Sequence, residues 1–171
     1  MNTLKKEVEV TAETMALVAK VNDFGKVITE VMMMDGTHEV PVHPGKMIDD
    51  ACKFFASSLA GRTEGTKQVS GFTHKPPIVI SQSMGMYFFP ITSPKRKDCT
   101  WIAHAHIQSI HSVDGYNTIM RFSNGTAITL PVSKGVIANQ IQRTAQFRFL
   151  LESRIKHSSP YTAEKVAEPF A

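Results

Sequence analysis

Two short turns limit what this chain can fold into. Asp35-Gly36 lies between VITEVMMM (27–34) and THEVPV (37–42), and Ser123-Asn124-Gly125 lies between YNTIMRF (116–122) and TAITLPV (126–132). Asp, Asn and Gly tolerate the positive φ of tight hairpin turns, whose twist matches the strands they join. Each pair of apolar-rich runs is therefore expected to form a hairpin, and the sheet to be mainly antiparallel. MALVAKV (15–21), joined to 27–34 by Asn-Asp-Phe-Gly, adds a strand ahead of the first hairpin, and Pro41 marks its return strand as an edge. Residues 78–81, 85–91 and WIAHAHIQSIHSV (101–113) read as further strands, as does TKQVSGFT (66–73).

Helical spacing appears twice. In PGKMIDDACKFF (44–55), Pro44 suits a first turn, and Met47, Ile48, Cys52 and Phe55 form one apolar stripe. From Ser133, a good N-cap, Ile137, Ile141, Phe147, Leu151 and Ile155 line one side of a helix of about five turns. SSLAGRTEGTK (57–67) is small, Gly-containing and weakly apolar, so it reads as a loop. Lys75 precedes Pro76, which favours extended geometry. The expected class is α+β, a mainly antiparallel β-sheet with a short mid-chain helix and a long C-terminal helix. The polar, proline-containing stretch 157–171 reads as a flexible tail.

WIAHAHIQSIH (101–111) holds three histidines. On a continuous strand Trp101, Ala103, Ala105 and Ile107 share one face, and Ile102, His104, His106, Gln108 and Ile110 the other. His104 and His106 then point the same way and His111 the opposite way. A metal would need a further ligand such as His74 or a carboxylate, and the sequence identifies none. Cys52 falls on an apolar helix face, where a thiol is inert, and Cys99 follows Lys95, Arg96 and Lys97 without an identifiable base. No Gly-rich phosphate loop opens a helix after a strand. Neither an enzyme nor a cofactor or metal site is expected.

Charge is more informative. Residues 1–51 carry five Lys/Arg against nine Asp/Glu, whereas 52–156 carry thirteen against four, a net +9. Such a basic stretch favours a polyanionic partner. Its cations fall in loops and on the last helix. Arg62 and Lys67 lie in the Gly-containing stretch, Lys75 before two prolines, and Lys95, Arg96 and Lys97 in one loop. Arg121 precedes the second hairpin turn and Lys134 opens the last helix. Arg143 and Arg154, about three turns apart, fall near one line of that helix, with Arg148 nearer its apolar side. The N-terminus lacks a signal-peptide core and no run of eighteen apolar residues occurs, so a cytoplasmic protein without a membrane contact is expected.

CKFFASSLAGR (52–62), THKPPIVI (73–80), the run from Phe88 through the basic loop to CTWIAHAHI, and RFSNG…LPVS (121–133) with Gln140, Arg143 and Thr144 beyond it resemble the ComK family of competence transcription factors. The resemblance spans about residues 48–156. It implies a single ComK-like DNA-binding domain over 1–156. It also implies an activator of DNA-uptake genes in the bacterial nucleoid, bound to AT-rich promoter boxes through the minor groove. Such proteins act as dimers that pair into tetramers and bend the DNA, with a Clp protease adaptor and RNA polymerase as further partners. Arg62, Lys67, Lys75, Lys95, Arg96, Lys97, Arg121, Lys134, Arg143 and Arg154 are the expected DNA contacts. A different class of reading is a protein-interaction module or anti-activator that has lost DNA binding.

Overall fold

The computed structural model describes residues 7–167. Its architecture is α+β, built on a six-stranded and a three-stranded antiparallel sheet. The first three strands form a meander of β1 (Thr14–Val21), β2 (Val27–Met33) and β3 (Gly36–Val40). Helices α1 (Pro44–Phe54) and α2 (Leu59–Ser70) follow. A second meander comprises β4 (Ile78–Ser81), β5 (Met86–Pro90) and β6 (Trp101–Ala103). The two meanders join where β1 pairs with β6, giving the order β3-β2-β1-β6-β5-β4. β7 (Ile107–Ser112), β8 (Thr118–Phe122) and β9 (Ala127–Leu130) form the small sheet, and α3 (Lys134–Ala167) closes the described chain.

Strand alternation explains the layering. Trp101 and Ala103 face one side of the large sheet with Leu17, Val31, Ile80 and Phe88, against Met47, Ile48, Ala51 and Cys52 of α1. Ile102 faces the other side with Met15, Ala16 and Phe89, against Met120, Phe122 and Leu130 of the small sheet and Ile137 of α3. A sheet covered on both faces needs apolar residues at successive positions, which is what MYFFP and WIA supply. A third cluster joins Val79 and Tyr87 to Phe147 of α3, with Val69, Phe72 and Leu151 around it.

Both hairpins form as expected. Gly36 and Gly125 carry positive φ, and β3 is the edge strand that ends before Pro41. Helix α1 begins at Pro44, capped by the His43 side chain.

Three expectations are corrected. Residues 59–70 are helical, not a loop followed by a strand. Gly61 and Gly65 depress intrinsic propensity, and Thr66 alone is fully buried there, so no apolar stripe announces the helix. Its ends hold it instead. The Ser58 hydroxyl accepts from Gly61 N–H at 2.9 Å and Asp49 accepts from Leu59 N–H at 2.9 Å. Gly71, at φ 76°, closes the C-terminus with a bond to the Lys67 carbonyl.

The run 101–113 is not one strand. It breaks after Ala103 into a 3₁₀ turn over His104–His106 and resumes as β7 in the other sheet. Lys75 is not extended but has φ 46°. This strained backbone is held where its carbonyl accepts from Gln140 Nε2 at 3.0 Å. Helix α3 is assigned as far as Ala167, and residues 168–171 of the expected tail lie outside the described residues.

Replacing Ser58 by Ala removes the side-chain cap of α2. A loss of about 1 kcal/mol in urea denaturation is expected. A neutral result would show that packing alone sustains the helix.

Candidate nucleic-acid interface

The break after Ala103 puts both histidines of the His-x-His sequence in one 3₁₀ turn, not on a strand face. The His106 ring nitrogen Nε2 lies 2.7 Å from the Ala12 carbonyl, tying the 3₁₀ turn to the segment before β1. His104 is half-buried, and burial, aided by the Arg148 charge, lowers its pKa below the usual imidazole value. Among the described residues no three His, Cys, Asp or Glu side chains are placed to share a metal ion.

Both thiols are enclosed. Burial pushes Cys52 up to about 11 and raises Cys99 as well, so neither is a ready nucleophile. The basic residues preceding Cys99 do not offset this.

The structure divides the nominated cations by what already holds them. Arg143 is half-buried. Its guanidinium donates to Gln140 Oε1 and to the His74 carbonyl, both at 2.5 Å, and stacks 4.7 Å from the Phe72 ring centroid. Gln140 is buried, and its Nε2 donates to the carbonyls of Lys75 and Pro90. Lys75 and Arg143 therefore meet at one corner, where the end of α2, the approach to β4 and the middle of α3 are pinned together. Arg96 is exposed but forms a two-pronged pair with Asp98, at 2.8 Å through each nitrogen. That pairing holds the Asp98 carboxyl below the usual carboxylate range. Lys67 pairs with Glu64 at 3.4 Å.

The remaining nominees are dispersed. Arg62 is half-buried on the first turn of α2, with its Nε enclosed and its charge felt at Cys52. Arg121 is exposed on β8 and donates to the Gly125 carbonyl at 2.9 Å. Lys134 and Arg154 are both exposed on α3, on the order of 30 Å apart along its axis. Arg148, set apart in the sequence as structural, stacks over the Tyr87 ring at 5.1 Å and pairs with Glu152 at 2.9 Å.

One cationic grouping was not visible in the sequence. Lys97 lines a cleft of about 320 Å³ together with Lys26 from the β1–β2 turn and Lys46 and His43 from the start of α1. Lys26 and Lys46 belong to the acidic N-terminal third, so regional charge pointed away from them. Only the sheet, which brings the β1–β2 turn beside the loop before β6, places them next to Lys97. Lys46 is paired with Asp50 at 3.0 Å, whereas no ion pair holds Lys26 or Lys97 among the described residues.

Comparison with known proteins fixes the family. The model of the family described as "ComK protein" matches residues 5–156. The chain belongs to the ComK family. Over 161 residues, 94% of this chain and 83% of the relative, it is 35% identical to the "Competence transcription factor" of Bacillus subtilis (strain 168). No solved structure matches. This ComK-family fold thus carries its cations in two classes, those in ion pairs or enclosed within the protein and those exposed on its surface without an ion pair among the described residues. Among the described residues no helix is long and apolar enough to cross a membrane.

Two outcomes follow. Arg143→Ala is expected to cost about 2 kcal/mol in denaturant unfolding, because two acceptors lose a charged donor, while Lys97→Ala stays within about 0.5 kcal/mol of the parent. Equal effects would mean that the Arg143 corner does not support the fold. A thiol reagent at pH 8 should label neither cysteine in the native protein and both after denaturation. Rapid native labelling would contradict the burial of the thiols.

Proposed function

We propose that the protein is a DNA-binding transcriptional activator of competence genes, acting in the nucleoid as a homodimer or a pair of dimers on AT-rich promoter boxes. The observation that carries this reading is its likeness, along almost its whole length, to a competence transcription factor. The excess of positive charge across residues 52–156 supports it, since a duplex offers a dense row of phosphates.

The minor groove is the proposed site of entry. A-tracts narrow that groove and deepen its negative potential, which attracts inserted Arg and Lys side chains. Its edges scarcely distinguish A·T from T·A, so selection rests on width and deformability. The exposed cations stand on the loop before β6, on β8 and along α3, surface positions from which a side chain can follow a groove. Lys95, Lys97, Arg121, Lys134 and Arg154 are the proposed direct contacts. Arg62, Lys67 and Lys75 are proposed at its margin, while Arg96 and Arg143 chiefly order the surfaces beside it. Paired promoter boxes would match a symmetric dimer. A protease adaptor and RNA polymerase are proposed as later partners of the bound activator.

A bandshift series tests this. The protein should shift a duplex with paired A- and T-runs and leave a GC-rich duplex of equal length largely free. With about five phosphate contacts, the log–log salt slope should be near −4.5, a loss of several hundredfold between about 50 and 200 mM salt. Equal affinity for both duplexes would remove the sequence-selective reading. A folded protein that shifts neither would favour an interaction module without DNA binding.

A further inference from the structure

The β1–β2 turn is rigid in its backbone and apolar at its tip. The Asn22 side chain accepts from Phe24 N–H at 3.0 Å and from Lys26 N–H at 2.9 Å. The Asn22 N–H donates to the Lys26 carbonyl at 2.9 Å, and Gly25 N–H donates to the Asn22 carbonyl at 3.0 Å. Gly25 takes φ 75°, which suits glycine at this position. On this fixed frame Phe24 is 94% exposed and Val21 is 65% exposed. Neither side chain belongs to the apolar clusters of the core.

A single exposed apolar residue needs no explanation. Here the surroundings add one. Gly25 and Lys26, the next residues in the turn, line the cleft that also holds Lys46 and Lys97. Lys95 is exposed in the same loop as Lys97. Asp23 is the turn's own opposing charge, and the nearby Asp50 and Asp98 are already paired with Lys46 and Arg96. An apolar ring, standing proud on an ordered turn beside free ammonium groups, matches the chemistry of a duplex step. Its bases offer an apolar stack, and its phosphates offer anions on either side. Proteins that enter the minor groove use such apolar wedges between base pairs. Pyrimidine–purine steps such as TA, where they interrupt or join A- and T-runs, open most easily. Because the turn is fixed before binding, little ordering cost is left for the complex.

We propose that the β1–β2 turn enters bound DNA, with the Phe24 ring inserted at a pyrimidine–purine step and Lys26 and Lys97 against the flanking phosphates. The proposal rests on the DNA-binding reading and adds the side chain that contacts the bases. Asp23 opposes entry and limits affinity.

The full chain is titrated with a duplex of paired A/T boxes carrying 2-aminopurine at a central TA step. On binding, the wild-type protein should raise the 2-aminopurine emission as the step unstacks. Phe24→Ala should abolish that rise and weaken binding about tenfold, the scale of one lost base–aromatic contact. Phe24→Trp should restore both, and its indole emission should be quenched on the duplex, against the buried Trp101 as background. Asp23→Asn should tighten binding a few-fold at low salt. Circular dichroism should be unchanged for each variant, because the altered groups are exposed.

If wild type and Phe24→Ala bind equally with identical emission, the insertion is wrong while the DNA-binding reading stands. If wild type binds neither duplex, that reading falls and takes the insertion with it. If Phe24→Ala keeps DNA affinity but lowers the oligomer mass in sedimentation, the ring belongs to a protein interface, and the proposal is overturned.

Discussion

The fold depends on the antiparallel pairing of β1 with β6. Two register pairs, Ala16↔Ile102 and Leu17↔Trp101, join meanders that are separate in sequence. The buried Thr100 hydroxyl reinforces the seam by accepting from Ala19 N–H at 3.0 Å. Such a contact is entropically costly to close, because its partners stand 81 positions apart in the chain. Burial offsets that cost on both faces at once. Leu17 and Trp101 are enclosed under α1, and Ala16 and Ile102 under the small sheet and α3.

The seam also explains where charge is found. The strand segments buried on both sides have no room for cations, so most Lys and Arg stand on turns, loops and helices, with Lys20 at the end of β1 and Arg121 on the exposed face of β8 as the strand exceptions. In 52–156 the few carboxylates are then almost fully committed. Glu64, Asp98 and Glu152 pair with Lys67, Arg96 and Arg148. Asp114 accepts from the backbone N–H groups of Tyr116 and Asn117, which holds its carboxyl below the ordinary range. Net charge therefore describes the region well but overstates the interface. Of its cations, several serve the protein before any ligand arrives.

What could be read in the sequence followed from short-range chemistry. Hairpins announced themselves through Asp35-Gly36 and Asn124-Gly125, and α3 through its apolar spacing after Ser133. Helix α2 stayed hidden because its stability comes from Ser58, Asp49 and Gly71 at its ends, not from a stripe along its length. The break after Ala103 was equally silent, since WIAHAHI alternates as well as any strand. The deciding contacts are distant ones, with His106 held at Ala12 and Ile107 drawn into the second core. Among candidate site residues, the sequence supplied the chemical type but not its occupation. Arg143 and Lys97 look alike in a charge count, and only the Gln140–His74–Phe72 surroundings distinguish them.

The packing also limits how such a fold would read DNA. Each helix has a face committed to packing: α1 to the large sheet, α3 to both sheets, and α2 to β4 and its helical neighbours. The central strands of the large sheet are sealed between layers. On the proposed reading, the groups left free to approach a groove are turns, loops and single exposed cations of β8 and α3, whose side chains project singly. Single projections specify few base pairs each, so selectivity must come from several of them acting together on a deformable site. That favours ordered turns over mobile ones, because each projection fixed in advance lowers the cost of engaging the others. The side-chain bonds of Asn22, Asp114 and Asn124 order all three of the turns β1–β2, β7–β8 and β8–β9 in this way.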